Sequence, residues 1–314
     1  MATCVPVAAV DVCANCGSKG DDDGGGVKLK NCNACHLVKY CGVDCQKTHR
    51  KQHKKACKKR ATELKVEQLY GQGHERLEED FCPICTMPLP LPLNDHSTFN
   101  ICCMTRICDG CAMAAKLMGM GDSCAFCRTP PPRDNASALV MVQKRIDAGD
   151  AEAMHFLAKK YFDGEIGLEK NAQRAIQLWT DAAELGSNEA HFELGRLYFF
   201  GDGVGQDEAR SVELWEHAAM KGHVLSRHSL GAAEGTKGNN HFAVKHYMIS
   251  AKMGFGQSLD AIKMMFAARQ ATKAQYTDAL KEYGDAIEEM KNHQRETAGA
   301  LGGFVPVSYQ TLSN

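Results

Sequence analysis

A chain of 314 residues with 44% hydrophobic and 24% charged residues has the composition of ordinary folded protein and room for two or three domains, so a wholly disordered chain is excluded. Its formal net charge of -1 gives no general attraction for nucleic acid or anionic membrane, and charged partners must be read from local patches. No run of about 18 apolar residues is present to span a bilayer, and the start MATCVPVAAVDVCAN lacks the basic flank and long apolar core of a secretory signal, so the expected location is cytoplasmic or nuclear.

All 16 cysteines fall between Cys4 and Cys127. In a reducing compartment disulfides are rare, and cysteines that come in short-spaced pairs are read as metal ligands. After an N-terminal segment (residues 1–12), residues 13–57 carry Cys13-x2-Cys16, Cys32-x2-Cys35, Cys41-x3-Cys45 and His53-x3-Cys57. Four bidentate pairs suit two tetrahedral zinc ions, and some 45 residues could not support a core without them. Spacing alone does not decide whether the pairs combine in sequence or interleaved. His49 competes with His53 as the nitrogen ligand.

The run Tyr40-Cys41-x3-Cys45-Gln46-x6-His53-Lys54-x2-Cys57 resembles the MYND zinc finger. The resemblance implies interleaving: Cys13, Cys16, Cys41 and Cys45 on one zinc, and Cys32, Cys35, His53 and Cys57 on the other. It also favours His53 over His49. Two features depart from the family: the Asp21–Gly26 insertion, expected as a surface loop, and Arg50 where the family carries the Trp used to grip proline-containing peptides. The basic run from Lys47 to Arg60 is expected as the exposed face of a short helix.

Residues 58–80, free of proline and with Leu64, Leu69 and Leu77 at helical spacing, predict a helical connector. Residues 81–128 then give Cys82-x2-Cys85, Cys102-Cys103, Cys108-x2-Cys111 and Cys124-x2-Cys127. Phe81-Cys-Pro-Ile-Cys85 and the closing Cys124-Ala-Phe-Cys-Arg-Thr-Pro130 resemble a RING finger, which implies a cross-braced pair of zincs. Cys82, Cys85, Cys108 and Cys111 would share one, and Cys103, Cys124 and Cys127 the other. Thr105 stands at the family's usual His position, which leaves Cys102 as the nearest fourth ligand and His96 as a poorer one by spacing. The resemblance also assigns Ile84 and Arg128 to a surface for a ubiquitin-conjugating enzyme, although Ala125 replaces the proline usual in the last pair.

Three prolines within residues 129–135 form a linker. Beyond it, residues 136–295 read as helix pairs, the first helix capped by Asn135 or Ser137. Asp150-Ala-Glu-Ala-Met-His-Phe-Leu157 matches Asn188-Glu-Ala-His-Phe-Glu-Leu194, and Trp179 and Trp215, 36 positions apart, each precede an Ala-Ala stretch and a glycine. A third copy runs from Ser226 to Gly254. A terminal pair is expected at roughly 258–269 and 274–293, with a flexible tail at 296–314. These features resemble Sel-1-like (TPR-like) repeats, in which Trp, Tyr and Ala fill the interior.

The predicted fold is therefore a set of small zinc-stabilised modules, together holding three to four zinc ions, followed by an all-α helical-repeat solenoid. Closed, thiolate-rich sites lack an open position for chemistry. No strand-rich domain follows to hold a methyl donor, which argues against the methyltransferases in which MYND fingers also occur. The expected function is a modular adaptor binding proteins, with no small-molecule substrate, membrane or nucleic acid. The alternative is a RING-type ubiquitin ligase whose repeats hold the substrate.

Overall fold

A computed structural model describes residues 11–20 and 27–300. Cys4, the Asp21–Gly26 insertion and the part of the expected tail from residue 301 lie outside the described residues. The chain divides into two compact units, Met1–Gly71 and Gln72–Asn314.

In the first unit two short antiparallel strands, β1 (Lys30–Asn31) and β2 (Lys39–Tyr40), pair Lys30 with Tyr40 and Asn31 with Lys39. A parallel bridge from Cys13 to Lys39 ties the first cysteine turn to β2. Helix α1 (Val43–Gly71) follows without a break. No proline interrupts it, and Asp44 complements the dipole at its start. The helical connector expected at 58–80 is thus the second half of a helix that already carries the last ligands of the first module. It stops at Gly71, and beyond it only Glu78–Asp80 forms a 3₁₀ turn.

The second unit opens with the second cysteine module. Strands β3 (Ser97–Asn100) and β4 (Thr105–Cys108) form an antiparallel hairpin, and α2 (Asp109–Leu117) begins at Cys108, whose sulfur accepts the Cys111 N–H at the helix start. After the proline linker come α3 (Asn135–Asp147) and the pairs α4 (Ala151–Asp163) with α5 (Ala172–Glu184), α6 (Asn188–Phe200) with α7 (Glu208–Met220), and α8 (Val224–Thr236) with α9 (Asn240–Lys252). The cap of α3 is Asp134, one residue before the expected Asn135. Ser137 closes a reciprocal capping box with it. Asp150, Asn171, Ser187, Asp207 and His223 cap the next five helices through their side chains.

The repeat interior explains the recurring residues. Trp179 and Trp215 are buried, and their indole N–H groups donate to His155 Nδ1 (3.2 Å) and to the Phe192 carbonyl (3.1 Å). Gly195 on α6 is required by this packing, since a Cβ there would lie 2.5 Å from Trp215 Nε1. Gly231, in the same place on α8, lies as tightly under Tyr247. The terminal pair is α10 (Gly256–Ala267) with α11 (Lys273–Glu289), a few residues off the expected bounds. A further helix, α12 (His293–Ala300), takes up the start of the expected flexible tail and packs against α2.

The second cysteine module shares its core with the first repeats. Ile101, fully buried, belongs to the cluster that holds Val142, Leu157, Trp179 and Leu194, and Phe99 stacks on Phe156 with centroids 5.5 Å apart. Gln72, where this unit starts, accepts a hydrogen bond from Arg227 Nη2 on α8. Among the described residues no helix is long and apolar enough to cross a membrane.

Candidate metal centres

The local backbone prepares each pair of sulfurs. In four of the five Cys-x2-Cys pairs the residue after the second cysteine is left-handed: Gly17 (φ 74°), His36 (57°), Thr86 (58°) and Arg128 (64°). In each, that residue's N–H donates to the carbonyl of the first cysteine. The turn points both sulfurs to one side and aims backbone N–H groups at them. The fifth pair, Cys108 and Cys111, uses the first turn of α2 for the same purpose.

Four groups of ligand atoms converge, each within 4.8 Å of one another: Cys13, Cys16, Cys41 and Cys45; Cys32, Cys35, His53 and Cys57; Cys82, Cys85, Cys108 and Cys111; and Cys102, Cys103, Cys124 and Cys127. The first two are interleaved along the chain, and the last two are cross-braced. Sulfur separations are 3.6 Å (Cys16 to Cys41), 3.4 Å (Cys41 to Cys45), 3.7 Å (Cys32 to Cys57), 3.8 Å (Cys85 to Cys108), 3.9 Å (Cys103 to Cys124) and 3.3 Å (Cys102 to Cys127). A tetrahedron of Zn–S bonds has S···S edges of about 3.8 Å, whereas a disulfide needs about 2.05 Å. The donor sets therefore fit zinc, and the described cysteines are all free.

Protonation energetics agree. Burial alone would raise Cys13 and Cys32, yet backbone N–H groups from their own turns, joined at Cys13 by that of Cys41, hold both at about 6. Donation from Cys108 holds Cys82 at about 4, and donation from Cys102 holds Cys103 at about 5. Hydrogen bonds to Ser18 lower Cys16, and hydrogen bonds to Thr129 lower Cys127 against its burial, while other neighbours move the other way. Hydrogen bonding to Cys45 pushes Cys41 up to about 12, burial pushes Cys57 and Cys111 up to about 12, and Cys102 and Cys108 are raised by Cys103 and Cys82. Each set thus holds at least one thiol below its ordinary value and at least one above it, and a bound dication removes the resistance of the raised ones.

The two histidine candidates take different roles. His53 is buried with Nε2 3.1 Å from Cys35 Sγ. His49, one helical turn earlier, stacks on His53 at 5.7 Å and places Nδ1 3.1 Å from the Tyr40 hydroxyl. Tyr40, a buried side chain to which the spacing assigned no role, thus holds His49 away from the metal set.

Cys102, the nearest fourth ligand by spacing, joins Cys103, Cys124 and Cys127 in the fourth set. Neighbouring side chains point to opposite faces of a strand, but Cys102 and Cys103 lie in the turn between β3 and β4, where Cys103 N–H donates to the Asn100 carbonyl and Met104 is left-handed (φ 51°). That bend brings both sulfurs to one side. Thr105 instead donates its hydroxyl to the Cys103 carbonyl, and His96 accepts from the Asp109 N–H through its carbonyl, outside every ligand set among the described residues.

Ile84 is 44% exposed and Arg128 is exposed, with Arg128 Nη1 against Met120 Sδ. Phe126, inside the last pair, is 47% exposed. Arg50 and the lysines from Lys47 to Lys59 lie on exposed faces of α1. One neighbour that no spacing rule reports is Arg295 on α12, whose Nη2 lies 3.4 Å from Cys85 Sγ across 210 residues.

The MYND finger family model matches residues 13–57, and the Sel1 repeat model matches residues 151–187 and 188–223. The chain carries a MYND finger and Sel1 repeats. The pair α8 and α9 continues the same packing past the matched residues. Chitin synthase regulatory factor 4 of Schizosaccharomyces pombe is 26% identical over 135 residues, 43% of this chain and 21% of that protein. Protein sel-1 homolog 2 of Homo sapiens is 29% identical over 99 residues, 32% of this chain and 14% of that protein. The matched stretches thus span a small part of either relative. Among solved structures, a Sel1 repeat protein from Oxalobacter formigenes is similar at 25% identity and TM-score 0.43, covering 49% of this chain and 64% of that one. The c5321 antigen of uropathogenic Escherichia coli, which displays an SLR fold, is similar at 22% identity and TM-score 0.43, covering 65% and 44%.

Proposed function

We propose that the chain is a zinc-stabilised adaptor that brings proteins together through its fingers and its Sel1 repeats in the reducing cytoplasm or nucleus, with the four converging sets as its zinc ligands. The observation that carries this reading is the closure of the metal sets: each offers four Cys or His donors and no water-activating carboxylate among them, so the metal has a structural part to play. A solenoid built on packing aromatics adds an extended surface on which proteins can dock. Affinity capture with the zinc-loaded full chain tests it. Stoichiometric protein partners that are lost on chelation are expected, and their absence from repeated captures would sink the adaptor reading.

A second reading, a RING-type ubiquitin ligase, is supported by the exposure of Ile84, Phe126 and Arg128. Recruitment of a conjugating enzyme needs an apolar anchor and a donor that fixes the conjugated ubiquitin. In autoubiquitination over a panel of conjugating enzymes, this reading expects product that Ile84→Ala abolishes while bound zinc is unchanged. A silent wild type across the panel retires it.

A further inference from the structure

We propose that Arg295 is a positioning residue for the zinc centre of Cys82, Cys85, Cys108 and Cys111, and that α12 is a working part of that centre. The inference rests on reading those four cysteines as zinc ligands.

One guanidinium serves the whole first turn of the second module. Its Nη2 donates to Cys85 Sγ (3.4 Å) and to the Met87 carbonyl (3.3 Å), while Nη1 donates to the Pro88 carbonyl (2.6 Å) and to the Met290 carbonyl (2.7 Å). Met87 and Pro88 directly follow the Cys82 to Cys85 turn, so the same fork that touches the sulfur also fixes the loop that carries it. Four thiolates around a dication leave a net charge of about -2, and a cationic N–H donated to one sulfur offsets part of it. Outer-shell donors of this kind orient metal ligands and hold the metal more tightly.

The placement of Arg295 is enforced by its own helix. Asn292 Oδ1 accepts the Arg295 backbone N–H (2.8 Å), and Asn292 Nδ2 lies 3.2 Å from Met87 Sδ. Ala298, one turn on, is buried. On the other side Gly110 of α2 leaves no room: a Cβ there would lie 2.8 Å from Arg295 N and from Gln294 C. A second guanidinium, that of Arg76, donates to the Leu89 carbonyl and approaches Met290 Sδ at 3.9 Å, so the end of α11 and the loop of the finger are gripped twice. A lysine in place of Arg295 would keep the charge and lose the fork, which separates charge from geometry.

The test uses the full chain loaded with zinc. Metal release to a chelator is timed by native mass spectrometry, and alkylation identifies which cysteines become free first. Arg295→Ala is expected to release one zinc about 10- to 100-fold faster than the wild type, with Cys82, Cys85, Cys108 and Cys111 alkylated first and the other three zincs unchanged. Arg295→Lys should recover part of that loss. Gly110→Ala, which displaces α12 and leaves the guanidinium intact, should speed release of the same zinc. In cobalt-loaded protein the thiolate-to-metal charge-transfer band should shift in Arg295→Ala, a signature that loss of packing alone would not produce. Wild-type release rates in both Arg295→Ala and Gly110→Ala, or an unshifted band in folded Arg295→Ala, overturn the proposal. A wild type that carries no metal on these four cysteines overturns it for a different reason, by removing the zinc reading beneath it.

Discussion

Two histidines one helical turn apart separate structural from ligand roles. His53 is buried against Cys35, whereas His49 faces Tyr40, and both sit on α1 with rings stacked at 5.7 Å. His53→Ala should therefore cost the first module one of its two zincs, because three ligands cannot close the tetrahedron. His49→Ala should keep both and lose only the Tyr40 hydrogen bond, worth about 1 kcal/mol. Zinc counts by native mass spectrometry decide the matter, and equal loss from the two variants contradicts the assignment. The pairing of these residues was legible from spacing only with the help of a family resemblance. Spacing named Cys102 as the nearest fourth ligand, but how it reaches the set was not legible, since alternation along a strand sets neighbours on opposite faces and only the turn at Asn100 to Met104 overrides it.

At the scale of helices, the caps connect the repeats electrostatically. His223 caps α8 and lies buried with Nε2 3.3 Å from Glu189 on α6. Burial alone would lower the imidazole, but Glu189, with Asp80 and Glu152 beyond it, raises it above its ordinary value. Glu189 is held at about 2: burial would raise it, and His223, His155 and Arg106 overcome that. A raised histidine stabilises the fold fully below its unfolded value near 6.5 and loses that contribution as pH rises through the folded value. A depressed carboxylate contributes above 4.5 and loses it as pH falls toward 2. The pair therefore contributes most between about pH 4.5 and 6.5. His223→Gln should lower the melting temperature more at pH 6 than at pH 9, each measured against the wild type at the same pH, and an equal loss at both would remove the pair from the account. Helix pairs were legible because Trp179, Trp215 and the Ala-Ala stretches recur at a fixed period. Helix α12 was not: His293–Ala300 has no apolar stripe, and its partner, α2, lies some 180 residues earlier in the chain.

For the whole molecule, the distribution of buried groups decides whether the second finger is a bead on a string or part of the repeats. Sequence divides them at the proline linker, since cysteines stop and periodic helices begin there. Packing reunites them: Ile101 sits in the core of the first repeats, Arg145 on α3 donates to the Cys102 carbonyl (3.2 Å), and Arg295 grips the other zinc loop. Composition and periodicity describe segments, and contacts that join residues 99–102 to α3 and α4 leave no mark in either. Structural zinc contributes roughly 10 kcal/mol or more to small domains, so chelation should unfold the second finger. Withdrawing Ile101 and Phe99 from the repeat core then costs on the order of 3 kcal/mol, as cavity-forming substitutions do. For a unit of this size that lowers the melting temperature by roughly 6–12 °C. Circular dichroism melts of the full chain with and without chelator should show the helical transition shifted down by that amount, and Ile101→Ala in the zinc-loaded protein should reproduce part of the shift. An unmoved helical transition after complete zinc removal would show that the repeats stand without the finger.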